Sequence, residues 1–154
     1  MKKFLNIFIL FFSILIISSC GVKEKSKLTS ADFKKEMEKR EFSVIEGNTL
    51  TDNKDLKLLY VASEKSNHYS IEFYEFKDAE AAGTFYNTNT DNLRKYEDKA
   101  RDYNKEEKSN FSRYEISLKD KYKVISRIDN TVLLVNVDSD YDDEASDLVK
   151  ELGY

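Results

Sequence analysis

The 154 residues include no proline and no tryptophan, only four glycines, one cysteine and one histidine. A single cysteine cannot build a disulfide framework. Zinc needs three or four ligands drawn from His, Cys, Asp and Glu, and His68, in an expected hairpin turn, has no cysteine beside it. The scattered glycines form neither a Gly-rich phosphate loop nor a Gly-x-Ser-x-Gly elbow. No motif asks for a cofactor. A long hydrophobic run is missing too: Phe4 to Ile17 covers 14 residues, with Asn6 and Ser13 inside it. As a helix it would rise about 21 Å, against a hydrocarbon core of about 30 Å. Positive charge is also in deficit, with 25 basic and 29 acidic residues, which argues against a nucleic-acid partner.

What is present at the N-terminus is ordered. Lys2 and Lys3 precede the apolar run, and Ser18 and Ser19 follow it. A positive start, a short apolar core and small residues at its end are the parts of a secretory signal. The next residue is the only cysteine, Cys20. Ile17-Ser18-Ser19-Cys20 resembles the lipobox of bacterial lipoproteins: an aliphatic residue, two small ones and the cysteine, with Ile17 where leucine is usual. The resemblance implies a diacylglycerol on the Cys20 sulfur through a thioether. It further implies cleavage between Ser19 and Cys20 by a type II signal peptidase, and a lipid-anchored location on the extracytoplasmic face of the cell membrane. Each buried methylene contributes about 0.8 kcal/mol, so two acyl chains hold where one holds only marginally.

The expected organisation is a signal peptide over 1–19, a lipidated N-terminus and tether over 20–27, and a single domain over 28–154. Removing residues 1–19 takes two lysines and no acid, leaving 23 basic and 29 acidic residues and a formal net charge of −6. The wealth of Lys, Asn, Ile, Asp, Glu and Tyr resembles proteins of AT-rich Gram-positive bacteria. Asn130-Thr131 and the closing Leu152-Gly153-Tyr154 resemble segments of small lipoproteins from such bacteria, a likeness that brings no activity with it.

Within the domain, Thr29 or Ser30 caps a first helix, with Phe33 and Met37 on one face. Phe42 to Ile45, Leu56 to Ser63 and Tyr69 to Phe73 read as strands, the last by strict alternation. A second helix opens at Asp78 and carries a stripe of Ala82, Tyr86, Asn89, Leu93, Tyr96, Ala100 and Tyr103. The polar run Asn104 to Asn110 closes it. Arg113 to Leu118, Tyr122 to Ile128 and Thr131 to Val137 form a meander, with Asp129-Asn130 as a two-residue turn. Tyr141, Ala145, Leu148, Val149 and Leu152 mark a closing helix capped by Gly153. The fold class is α+β: an antiparallel sheet of about five or six strands with three helices on one face, in the order αβββαβββα. A shift of 64 positions sets Ile71 on Val135, Phe73 on Val137, Ala81 on Ala145 and Phe85 on Val149, a possible internal duplication.

Asp138, Asp140 and Asp142 imitate the first ligand positions of an EF-hand loop. Asp143 then stands where the sharp turn wants glycine, and Val149 where a bidentate glutamate belongs. The motif fails as an EF-hand, leaving a weak calcium candidate against the plainer reading of acids that suit a helix N-terminus. No nucleophile or carboxylate pair is singled out. The expectation is a non-catalytic binding or accessory module at the envelope, contacting a protein or a glycan. The alternatives are a small hydrolase of envelope polymers and an adhesion or assembly module. In the last hairpin Ile125, Val132 and Leu134 point away from Val124 and Val135, so a second sheet face needs a cover or a ligand.

Overall fold

Thr29 caps α1 (Ser30–Lys39): its hydroxyl oxygen accepts from the Asp32 amide at 3.1 Å and donates to the Asp32 carboxylate at 2.7 Å. The computed structural model describes residues 24–154, so the signal, the lipobox and Cys20 lie outside the described residues. Phe33 and Met37 are buried as their spacing requires. The helix ends in a Schellman motif: Phe42 N–H reaches the Met37 carbonyl and Glu41 N–H the Glu38 carbonyl, both at 3.0 Å. Glu41 sits at φ 64, where glycine is usual.

The strands are β1 (Ser43–Glu46), β2 (Leu56–Ser63), β3 (Ser70–Phe76), β4 (Asp102–Glu107), β5 (Phe111–Ser117), β6 (Lys121–Ile128) and β7 (Thr131–Asp138). They form one antiparallel sheet ordered β1-β2-β3-β7-β6-β5-β4. The expected pairings in the last hairpin are present: Ile128 with Thr131, Val124 with Val135, Tyr122 with Val137. Asp129 takes φ 50 in the turn.

The strand count is seven, not five or six, and the element order is αβββαββββα. The extra strand, β4, begins at the last residues of the expected helix two and runs through the polar stretch expected to close it. Helix α2 (Ala79–Arg94) stops early, a 3₁₀ turn spans Glu97–Lys99, and the chain re-enters the sheet. Asp102-Tyr103-Asn104-Lys105-Glu106-Glu107 has no apolar alternation, and all but Glu106 are exposed. It is a strand through its backbone pairing with β5 alone. Charged residues on such an edge also discourage pairing with another chain.

The three helices are not on one face. α1 and α3 (Asp142–Glu151) cover a first core built on Ile71, Phe73, Val124, Leu133 and Val135. α2 covers a second core, where Ala82 and Tyr86 meet Phe76, Ile125 and Val132. The cause lies in β6 and β7, which carry apolar residues at both parities, so both sheet faces must be shielded from water. Asp78 starts α2 by accepting from the Ala81 amide at 2.8 Å. The echo at 64 positions falls on the two central strands, where Ile71 lies directly opposite Val135. The helices that follow those strands go to opposite faces.

α3 ends in its own Schellman motif. Tyr154 N–H bonds the Val149 carbonyl at 3.0 Å, Gly153 N–H bonds that of Lys150 at 2.9 Å, and Gly153 takes φ 86. Tyr154 turns back into the first core, edge-on to Phe73, with its hydroxyl 2.5 Å from Thr131 Oγ1. The chain before α1 is held as well: the Lys25 amide donates to Asn110 Oδ1 at 3.1 Å, and Asn110 Nδ2 donates to the Lys25 carbonyl at 2.8 Å. Lys25, ahead of the expected domain start at Leu28, is thus bonded to the β4–β5 turn.

Candidate functional site

Strand β5 reads Phe-Ser-Arg-Tyr-Glu-Ile-Ser, and alternation puts Phe111, Arg113, Glu115 and Ser117 on the first face. Its inward residues on the other face, Tyr114 and Ile116, belong to the second core. α3 lies over β7, and beside it Phe111 and Arg113 are buried while Glu115 and Ser117 are half-buried. Two clefts open there, one at each end of α3.

The smaller, about 180 Å³, lies at the start of α3 and is acidic. Asp142, Asp143 and Ser146 form one wall; Asp102, Glu115 and Tyr122 contribute to the other. The larger, about 650 Å³, lies at the end of α3 and is of mixed charge: Lys25, Lys108, Arg113 and Lys150 line it with Glu24 and Glu106, Lys108 pairs with Glu106, and Lys150 pairs with Asp147 at 3.0 Å.

Arg113 and Glu115 join the two. Arg113 is buried, 8% exposed. Its Nη2 donates to Glu115 Oε2 at 2.5 Å and its Nη1 to the Tyr154 backbone oxygen at 2.9 Å. Its Nε has no hydrogen-bond partner among the described residues. Glu115 also accepts from the Tyr122 hydroxyl at 3.0 Å and from Asn104 Nδ2 at 3.4 Å. Burial alone would raise the Glu115 carboxyl, but the Arg113 guanidinium, aided by Tyr122 and Asn104, overrides it and holds the group below the usual carboxylate range. In the larger cleft, burial pulls the Lys25 ammonium below the usual lysine range; Glu106 opposes this, and the Arg113 and Lys108 cations reinforce it.

Two further clefts lie elsewhere. One of about 350 Å³, between α1 and α3, holds Tyr69, whose hydroxyl donates to Glu144 at 2.7 Å; burial first, and then that carboxylate, push the phenol up. One of about 480 Å³ flanks the start of α2, beside Asp55, Asp78 and Phe85.

The three aspartates of the calcium candidate meet cations or solvent. Asp138 pairs with Lys121, Asp140 is exposed, and Asp142 faces Arg101 at 3.4 Å. Among the described residues no group of three or more His, Cys, Asp or Glu is arranged to hold a metal. His68 lies on the surface, stacked on Tyr141. Sequence reading missed Arg113, Glu115 and Lys25. The available signal was an arginine and a glutamate two apart in a strand that otherwise alternates apolar residues.

No family model, curated protein or solved structure matches the chain.

Proposed function

We propose that this chain is a lipid-anchored envelope lipoprotein, held on the extracytoplasmic face of the cell membrane by diacylglycerol on Cys20, and that its domain is a non-catalytic binding or accessory module. One observation carries the anchor: an apolar run too short to span ends at Ile17-Ser18-Ser19-Cys20. Among the described residues no helix is long and apolar enough to cross a membrane. Contact with an envelope protein or glycan fits the exposed polar clefts along α3.

The state of Glu115 argues against one catalytic role, that of general acid. Its oxygens are occupied by three donors and its proton is lost early. A carboxyl held that way is a poor proton donor near neutral pH. The hydrolase alternative draws on the gathering of Asp102, Glu115, Asp142 and Asp143 in one cleft; release of sugar or peptide fragments from envelope polymers, lost in Asp102→Asn, would favour it. The assembly alternative draws on four exposed large apolar residues among the described residues, which divide between the two edges of the sheet: Ile45 and Leu50 on or just after β1, Tyr96 and Tyr103 just before or on β4.

Intact-mass spectrometry of the native product tests the anchor. A chain beginning at Cys20 and carrying a diacylglycerol is expected, and Cys20→Ser should accumulate as uncleaved precursor. A product beginning at Met1 with a free thiol would refute the reading.

A further inference from the structure

One end of the sheet is tied together across most of its width. The Lys77 amide donates to the Asp55 carbonyl at 2.9 Å, the Phe76 amide to the Asn130 carbonyl at 2.8 Å, and the Asp129 amide to the Asn110 carbonyl at 2.9 Å. Asn110 in turn holds the Lys25 backbone by two hydrogen bonds. The loop before β2, the end of β3, the β6–β7 turn, the β4–β5 turn and the entering chain therefore share one end of the domain. Leu50 stands at the start of that loop, as the last residue of a 3₁₀ turn over Asn48–Leu50. It is 69% exposed, more than any other large apolar residue described, and belongs to neither core. The turn fixes it there. The Leu50 amide donates to the Gly47 carbonyl at 2.8 Å, and Asn48 Oδ1 accepts from the Leu59 amide at 2.6 Å. Gly47 lies so close that a methyl on it would meet Leu50 Cδ1 at 3.2 Å and Leu59 Cγ at 3.0 Å.

Chain length says what lies beside this end. Lys25 is five residues from Cys20, and five residues extend at most about 18 Å. In the sheet β2 is four strands from β5, about 19 Å at the usual strand spacing. A domain standing on this end brings the tether and Leu50 to one surface together. We infer that Leu50 enters the interface of the bilayer that holds Cys20, as a second contact that sets the orientation of the domain. The inference rests on the lipid-anchor reading. One leucine side chain is too small to hold a protein on a bilayer by itself. It acts here because the acyl chains already keep the domain at the surface, where insertion is intramolecular. The acidic cleft at the start of α3 lies at the opposite end of the sheet, beside the β5–β6 turn, where the Ser139 amide bonds the Asp120 carbonyl. In this orientation it faces away from the membrane.

The chain has no tryptophan, so Leu50→Trp and Tyr103→Trp each carry a single fluorescent reporter. Tyr103 is exposed on β4, near the opposite end of the sheet. Each full-length lipidated variant, checked for native thermal unfolding, is placed in phosphatidylcholine nanodiscs with and without bromine on the acyl chains. Bromine quenches indole emission on contact. Both variants carry the same indole, so their difference reports position. Emission of Leu50→Trp should fall about twofold with brominated lipid, since interfacial apolar groups lie roughly 5–10 Å deep, while that of Tyr103→Trp stays unchanged. No quenching of Leu50→Trp in discs that still carry the protein would overturn the contact and leave the anchor standing. Equal quenching of both variants would mean no fixed orientation and would overturn it as well. Emission shifted to the blue without quenching would put a protein, a second copy included, over Leu50 in place of lipid. A chain that fails to co-elute with the discs would overturn the anchor, and this contact with it.

Discussion

Replacing Arg113 by methionine keeps the apolar stem and removes the charge and every donor. Two charge-assisted hydrogen bonds disappear, one to Glu115 and one to the Tyr154 backbone oxygen. Each such bond contributes about 1.5–3 kcal/mol. Glu115 is only 23% exposed, so it cannot be fully re-solvated, yet it keeps Tyr122 and Asn104 as donors. The lower end of the range applies, and the expected loss is about 3 kcal/mol at pH 7. Unfolding entropy of about 2.1 cal/mol/K per residue over a domain of this size makes that a drop in Tm of roughly 10 °C. Urea unfolding at several pH values adds a second reading. In the native protein the Glu115 proton is lost below the unfolded carboxylate range, so its stabilisation is complete above about pH 4.3 and vanishes as pH falls through the folded value. In the variant burial acts without the guanidinium. The stability curves should therefore converge on acidification. A loss under about 1 kcal/mol, with parallel pH curves, would mean the pair behaves as an ordinary surface ion pair and would refute the account of the joined clefts.

The two Schellman motifs give a matched pair of tests. Gly153→Ala meets nothing within 4 Å, so its cost is the left-handed backbone alone, about 1 kcal/mol by denaturant unfolding. Glu41→Gly at the equivalent position of α1 should gain about 0.5–1 kcal/mol, since the exposed Lys65–Glu41 pair it removes contributes little. Asp78→Ala removes the side-chain acceptor at the start of α2 and should cost about 1 kcal/mol, seen as a fall in Tm without loss of folded signal at room temperature.

Local chemistry was enough to determine the two caps at Thr29 and Asp78, the stripe of α3, the Asp129-Asn130 turn and the register it imposes on β6 and β7. Each depends on residues a few positions apart, and the energies involved are satisfied within that span. The lipobox resemblance is likewise local, carried by Ile17-Ser18-Ser19-Cys20 alone, and the proposed anchor rests on it. β4 was not legible, because an edge strand is made by the backbone of its neighbour and its own side chains need carry no period. The placement of α2 opposite α1 and α3 followed from apolar residues at both parities of β6 and β7, but only the assembled sheet decided which helix covered which side. The clefts were the least visible. Lys25, Lys108, Arg113 and Lys150 are spread across most of the domain and meet, with their carboxylate partners, only when the sheet and α3 bring them together. Coulomb energy depends on distance in space, and the linear chain does not contain that distance.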